Sequence, residues 1–170
     1  MVRDFEGQRD GENLLFVFRR HIVAMRKGFW LLTLPFLVAS IPVFIWPTLG
    51  VVYLISLSGF VLGGILFMYH FLMWYFTIYI VTDQRIRQIT QKGFFGKDVI
   101  DLGLTKVQSI SYKIPGFSGE VLGFGTIIVQ TYVGDLVINK VEHPEKIYNK
   151  LQDAVSAAED KRDKNEEIDE

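Results

Sequence analysis

The sequence contains a run of 55 residues, from Gly28 to Thr82, that includes no Asp, Glu, Lys or Arg. All 18 Lys and Arg residues and all 19 Asp and Glu residues lie outside it. An apolar run of about 18 residues or more without charge is typical of a transmembrane helix. Because 55 residues are too many for one helix, the run predicts two membrane-spanning helices, at about 29–46 and 51–73, joined by a short turn.

The charges that flank this run predict its orientation. The turn between the two spans carries no charge, whereas cations lie on both outer sides of the run. By the positive-inside rule, both termini are expected in the cytoplasm, with the chain crossing the plasma membrane twice. The same cations are candidate contacts for anionic lipids. They are Arg19, Arg20, Arg26, Lys27, Arg85, Arg87, Lys92 and Lys97.

Composition excludes several classes of function. A net charge of -1 argues against a broadly basic surface that binds nucleic acid. The absence of cysteine excludes disulfides, thiolate metal sites and a cysteine nucleophile. The three histidines are scattered, so no metal site is predicted. Asp98 and Asp101 are an odd number of residues apart on a predicted strand, hence on opposite faces. We therefore expect no catalytic residues, no cofactor and no enzymatic activity.

A set of small residues recurs on one face of the second span. Ser56, Gly59 and Gly63 have the spacing that lets two helix backbones approach closely. Two interpretations remain open from the sequence. The face packs against the first span of the same chain, or it forms a contact between copies in an oligomer.

The remainder of the chain predicts an antiparallel β domain closed by a helix. Strands rich in Val, Ile and Thr are predicted at 76–81, 86–90, 99–102, 107–113, 126–131 and 136–141. Pro144 and Glu145 suit a helix start, and Ile147, Leu151 and Val155 give that helix an apolar face. We divide the chain into a cytoplasmic segment at 1–27, a transmembrane hairpin at 28–74, a cytoplasmic domain at 75–158, and an acidic, disordered tail at 159–170.

Three motifs resemble one known family. They are Gly11-Glu12 followed by Phe18-Arg19-Arg20-His21, then Tyr79-Ile80-Val81-Thr82-Asp83-Gln84-Arg85-Ile86, and Leu122-Gly123-Phe124-Gly125-Thr126-Ile127. Their order is similar to that of the bacterial pleckstrin-homology-like (PH-like) membrane proteins, the YdbS-like family. The resemblance implies a PH-like β-sandwich or barrel, capped by a C-terminal helix and anchored to the bacterial inner membrane. It implies no reaction and supplies no catalytic residues.

A glycine-rich stretch after the fourth predicted strand is expected to be a loop or a bulge. Its apolar residues are candidates for contact with a partner or with the membrane, and core packing is the alternative. These residues are Ile114, Phe117, Val121 and Leu122.

Three functions are compatible with the sequence. The favoured one is a non-enzymatic interaction or scaffold module at the cytoplasmic face of the membrane, whose partners are lipids and further copies or other membrane proteins. The second is a component of a transport or export assembly. The third is a sensor of anionic lipid headgroups.

Overall fold

The computed structural model describes residues 7–9, 11–93, 96–132 and 134–169. Within these residues, the elements in chain order are β1 (Leu14–Arg19), α1 (Arg26–Ile45), α2 (Gly50–Tyr75), β2 (Ile78–Thr82), β3 (Arg85–Lys92), β4 (Gly96–Gly103), β5 (Val107–Lys113), α3 (Gly116–Leu122), β6 (Phe124–Thr131), β7 (Gly134–Glu142) and α4 (Pro144–Asp169). The chain divides into a helical unit, Ile22–Phe76, and a β unit that joins the described residues up to His21 to those from Thr77 onward.

The helical unit is a pair of packed helices, α1 and α2. A Cβ added at Gly59 would lie 2.7 Å from the carbonyl oxygen of Pro35, and one added at Gly63 would lie 2.5 Å from that of Leu32. Ser56 Oγ forms a 2.8 Å hydrogen bond with Ser40 Oγ. The small-residue face of α2 therefore packs against α1 of the same chain, and the alternative in which it is the contact between copies is corrected.

Both helices are long and apolar enough to cross a membrane. At about 1.5 Å per residue, the 20 residues of α1 rise about 30 Å, which matches the hydrocarbon thickness of a bilayer. Their apolar side chains are largely uncovered within the chain, as at Phe44, which is 86% exposed.

The β unit consists of two antiparallel sheets, with strand orders β1-β2-β3-β4 and β5-β6-β7. In the first sheet, Arg19 on β1 is opposite Ile78 on β2. The chain thus leaves the β unit at the end of one strand and returns at the start of the strand beside it. The two helices are inserted between a pair of neighbouring antiparallel strands.

The core lies between the inner faces of the sheets and α4. Tyr79, Val81 and Ile86 point into it from the first sheet, as alternation along a strand requires. Leu151 and Ala154 pack into it from α4. The outer face of β3 is left to Arg85 and Arg87. The expected architecture of two apolar helices, antiparallel sheets and a C-terminal helix is confirmed.

Strand β1 lies in the segment at 1–27, which the sequence predicts to be separate from the β domain. The six predicted strands are present, with ends within three residues of those expected, but β1 precedes the helices and completes the first sheet. The predicted division into separate parts at 1–27 and 75–158 is wrong, because the described residues up to His21 and those from Thr77 onward belong to one unit. The run Leu14-Leu15-Phe16-Val17-Phe18 has apolar residues at every position, so it lacks the alternation that identifies a strand with one solvated face.

Two further segments are helical where other structure was expected. The glycine-rich stretch forms α3, which ends at Gly123 in the left-handed conformation that favours glycine, with φ of 68°. Helix α4 extends to Asp169, so the expected disordered tail after Ala158 is corrected. Charged residues of high helix propensity and spacings such as Asp160 to Lys164 support this extension.

Close packing of the two helices can be tested by replacing Gly63 with alanine. We expect Gly63→Ala to reduce formation of a disulfide between cysteines placed at Ser40 and Ser56, because the new Cβ meets backbone. Overpacking costs about 1–3 kcal/mol, which corresponds to a loss of about fivefold to 140-fold in the close-packed population. The rate of disulfide formation is measured in membranes. Because the chain has no native cysteine, only the introduced pair can react within it.

Gly64→Ala is the matched control, since a Cβ at Gly64 meets nothing within 4 Å. Equal disulfide rates in the Gly63 and Gly64 variants would contradict this packing.

Candidate functional site

A network of charges lies on the outer face of the first sheet, with Glu12, Arg85 and Arg87 buried and Asp101 partly exposed. Arg85 and Arg87 project from β3, and Asp101 on β4 is directly opposite Arg87. Glu12 reaches the same face from the segment that precedes β1. We call this the Glu12 network, and its members are Gly7, Glu12, Thr82, Arg85, Arg87 and Asp101.

Arg85 is the centre of the network. Its Nε and Nη2 donate to the two carboxylate oxygens of Glu12, each at 2.8 Å. Its Nη1 donates to Asp101 Oδ2 at 2.6 Å, and Nη2 also donates to the Gly7 carbonyl oxygen at 2.8 Å. A planar guanidinium makes such paired contacts with two carboxylates, whereas a lysine ammonium has no equivalent geometry.

Arg87 makes a second two-point contact beside the first. Its Nε and Nη2 donate to the two oxygens of Asp101 at 2.7 and 2.9 Å. Its Nη1 donates to the Gly7 carbonyl oxygen at 3.0 Å. Both arginines therefore hold the backbone of residue 7 against the sheet, although that residue lies far away in sequence.

The Glu12 carboxylate is buried and fully hydrogen-bonded. Besides Arg85, it accepts from the backbone N–H of Arg9 at 2.8 Å and from the Thr82 hydroxyl at 2.8 Å. The hydrogen bonds from Arg85 and these other donors outweigh burial and lower the pKa of Glu12 from its ordinary 4.5 to about 2. Arg87 likewise lowers the pKa of Asp101.

A smaller polar cluster fixes the turn between β2 and β3. Asp83 Oδ1 accepts from the backbone N–H of Asn13 at 2.9 Å, and the Asp83 N–H donates to the Asn13 carbonyl at 3.0 Å. Lys161 on α4 donates to Asp83 Oδ2 at 3.3 Å. Burial acts to raise the pKa of Asp83, but these hydrogen bonds outweigh it and the pKa is lowered.

The network corrects two of the predicted lipid contacts. Arg85 and Arg87 are buried, and the donors of both are directed at carboxylates and at a carbonyl of the same chain. A buried guanidinium already paired in this way is not available to a headgroup without loss of these bonds. The sequence correctly placed the two arginines on one face, but their cationic character is neutralised by Glu12 and Asp101.

The other predicted cations lie in different surroundings. Arg20 Nε donates to the Tyr79 hydroxyl at 3.1 Å, and Lys92 pairs with Asp98 at 2.9 Å on the surface. Four others are also exposed, namely Arg19 on β1, Arg26 and Lys27 in the first turn of α1, and Lys97 on β4. Phe94 and Phe95, within the predicted turn after β3, lie outside the described residues.

The predicted partner-binding residues lie on and beside α3. Phe117 and Val121 are four residues apart on one side of this short helix and are 84% and 63% exposed. Leu122 is also exposed, whereas Ile114 is half-buried. Their exposure opposes the alternative in which they pack in the core, and contact with a partner or the membrane stays a prediction.

The site that sequence reasoning missed is the pairing of Glu12 with Arg85. The signal was present, because Gly11-Glu12 and Thr82-Asp83-Gln84-Arg85 are parts of the first two motifs that carried the family resemblance. The third motif closes α3 at Gly123, whose carbonyl accepts from the His143 N–H at 2.9 Å. Among the described residues, no group of three or more His, Asp and Glu is placed to hold a metal ion.

The sequence matches the family model described as "Bacterial PH domain" over residues 28–155, which is most of the chain. The protein therefore belongs to the bacterial PH domain family, and the expected family is confirmed. The match begins within α1, so it leaves out β1 and the segment that carries Glu12.

Among solved structures, the chain is similar to a DUF1696 family protein with a pleckstrin-homology domain from Shewanella loihica PV-4. The two are 12% identical, with a TM-score of 0.39, over 46% of this chain and 70% of that one. A search of the curated proteins finds no match.

The depressed pKa of Glu12 predicts a specific dependence of stability on pH. A lowered carboxyl pKa stabilises the fold above the ordinary value of 4.5, and this contribution is lost as the pH falls towards about 2. The shift corresponds to about 3 kcal/mol. We expect Glu12→Gln to lower the free energy of unfolding by about that amount at neutral pH, as measured by pulse proteolysis of the full chain in urea.

The difference in the free energy of unfolding between the wild type and Glu12→Gln should shrink as the pH falls from 5 to 2.5. In this range Glu12 becomes protonated in the unfolded chain, at its ordinary pKa of 4.5, so the advantage of the ionised carboxylate in the folded state is progressively lost. Glu120→Gln on exposed α3 is the control and should change stability by less than about 0.5 kcal/mol. A Glu12→Gln effect that is small or independent of pH would contradict the geometry of the network.

Proposed function

We propose that the protein is a non-enzymatic, membrane-anchored PH-like module that binds other proteins at the cytoplasmic face of the bacterial plasma membrane. One observation carries the proposal: the apolar helical pair is inserted between the neighbouring strands β1 and β2. A β unit that folds in water and a helical pair with uncovered apolar surface demand two different solvents. A membrane beside the cytoplasm supplies both.

The pairing of β1 with β2 supports a hairpin topology. Because Arg19 lies opposite Ile78, both open ends of the helical pair must be on the same side of the bilayer. The connection at 46–49 then lies on the other side. Arg26 and Lys27 at the start of α1 favour the cytoplasm for the β unit, since cationic flanks are retained there.

The polar chemistry of the β unit supports binding rather than catalysis. The charges of the Glu12 network are directed at one another, and the hydrogen bonds they make are those of a structural cluster. A role as a headgroup sensor is less well supported, because Arg85 and Arg87 are paired with Glu12 and Asp101 and are not available to bind a headgroup. A transport role is less well supported, because the small-residue face of α2 is occupied by α1. Assembly of several copies stays a prediction.

The topology can be tested by cysteine labelling, because the chain has no native cysteine. We expect Thr48→Cys, in the connection between the helices, to react with a membrane-impermeant maleimide in right-side-out vesicles. Gln152→Cys, exposed on α4, should react only after permeabilisation. The protein should also stay in the membrane fraction after alkaline carbonate extraction.

The two cysteine variants are matched, since both positions are exposed within the chain. Release of the protein by carbonate, or equal labelling of both positions in sealed vesicles, would reject the membrane-anchored hairpin.

A further inference from the structure

Helix α4 packs to one side of the β unit. It lies against β5, β6 and the 3-10 turn Leu104–Lys106, with Tyr148 packed on Tyr112 of β5 at 5.2 Å between ring centres. Towards β1 the contact is looser, and the Lys150 ammonium lies 5.5 Å above the ring of Phe16. A groove therefore separates α4 from β1.

The groove runs beside an open strand edge. Strand β1 pairs with β2 on one side. On its other side, within the described part of the chain, the backbone meets the second sheet only at its end, where Arg20 bridges Val141 and the His21 N–H donates to Lys140. Backbone N–H and C=O groups along such an edge can form hydrogen bonds with another extended segment.

The dimensions of the groove suit a short strand. Two adjoining cavities of about 370 and 390 Å³ share Lys150 as a wall. Together they follow β1 from Leu15 to Arg19, which is about 16 Å of extended chain. A bulge between Leu14 and Phe16 limits regular pairing to Phe16 and the residues after it.

The charges along the groove select the chemistry of its occupant. Lys146 and Lys150 are exposed, one helical turn apart, and face β1 from α4. Among the described residues, neither forms an ion pair with a carboxylate of this chain. The other charged residues of the lining are Arg19 and Glu142 in one cavity and Asp153 in the other, so three cations face two carboxylates along the groove. Apolar Leu15 and Val17, each 48% exposed, alternate along the edge.

We propose that this groove binds one extended acidic peptide segment of a partner protein. The segment adds a strand to β1 through backbone hydrogen bonds and places a carboxylate against Lys146 and Lys150. The inference rests on the proposed function, and it names the surface and the class of partner through which the module acts.

The test uses the full-length protein in lipid nanodiscs and three fluorescein-labelled heptapeptides. The first alternates glutamate with valine or isoleucine, the second replaces each glutamate with lysine, and the third is the acidic peptide with N-methylated backbone amides. We expect saturable binding of the first, measured by fluorescence anisotropy, and at least about tenfold weaker binding of the other two.

Variants identify the surface. The double variant Lys146→Glu and Lys150→Glu should weaken binding of the acidic peptide at least about tenfold. Lys113→Glu, which reverses an exposed cation on β5, is the control and should leave binding within about twofold. Hydrogen exchange should slow in β1 and not in β4 when the acidic peptide binds.

Failure takes distinct forms. Absence of saturable binding, equal binding of the basic or N-methylated peptide, or equal loss in the Lys113 variant overturns the groove. A photo-cross-linker is placed at Val17 on β1 or at exposed Ile100 on β4 in native membranes. It distinguishes failure of the peptide groove from failure of the proposed protein-binding function. Cross-links to protein at Ile100 alone would leave a binding module but reject this groove, and cross-links at neither position would count against both.

Discussion

The interaction on which the β unit depends is the buried contact between the Glu12 carboxylate and the Arg85 guanidinium. Burial of either charge alone would cost several kcal/mol, so each makes the burial of the other tolerable. Arg85 also bonds to Asp101 and to the Gly7 carbonyl, and Arg87 completes the set. The network therefore joins the segment before β1 to strands β3 and β4. It brings together residues that the sequence separates by the whole helical pair.

This arrangement explains how one domain accommodates an insertion of two apolar helices. The chain builds β1, leaves through α1 and α2, and returns directly beside β1 as β2. The β unit must then recruit β1 across an interval of 55 residues, Ile22–Phe76, which contains the two long apolar helices. Pairing of β1 with β2 supplies backbone hydrogen bonds, and the Glu12 network supplies charge complementarity on the outer face of the same sheet. The loose packing of α4 beside β1 leaves the edge on which the proposed peptide site depends.

Much of this fold could be predicted, because apolar runs, alternation and turn residues are local signals. The two helices and the strands from β2 to β7 follow from them. Strand β1 could not be predicted, because its apolar residues are continuous and its partner lies beyond the insertion. Helix α3 was not predicted, because glycine has a low helix propensity and α3 contains Gly116 and Gly119. Arg85 and Arg87 share a face, as strand geometry requires, but nothing local indicates that Glu12 neutralises them, since that contact spans 73 residues.

The helical pair is an insertion into a β domain that includes the N-terminal segment. The most direct measurement replaces Ile22–Phe76 with a four-residue Gly/Asn linker between His21 and Thr77 and records an amide ¹H–¹⁵N NMR spectrum in water. Because Arg19 and Ile78 are paired neighbours, we expect a dispersed spectrum of a folded, soluble domain with a cross-strand contact between these two residues. The same protein without residues 1–20 should lose that dispersion. An aggregated or undispersed product of the linker replacement, or a fully folded domain without residues 1–20, would contradict the insertion of the helical pair into this β domain.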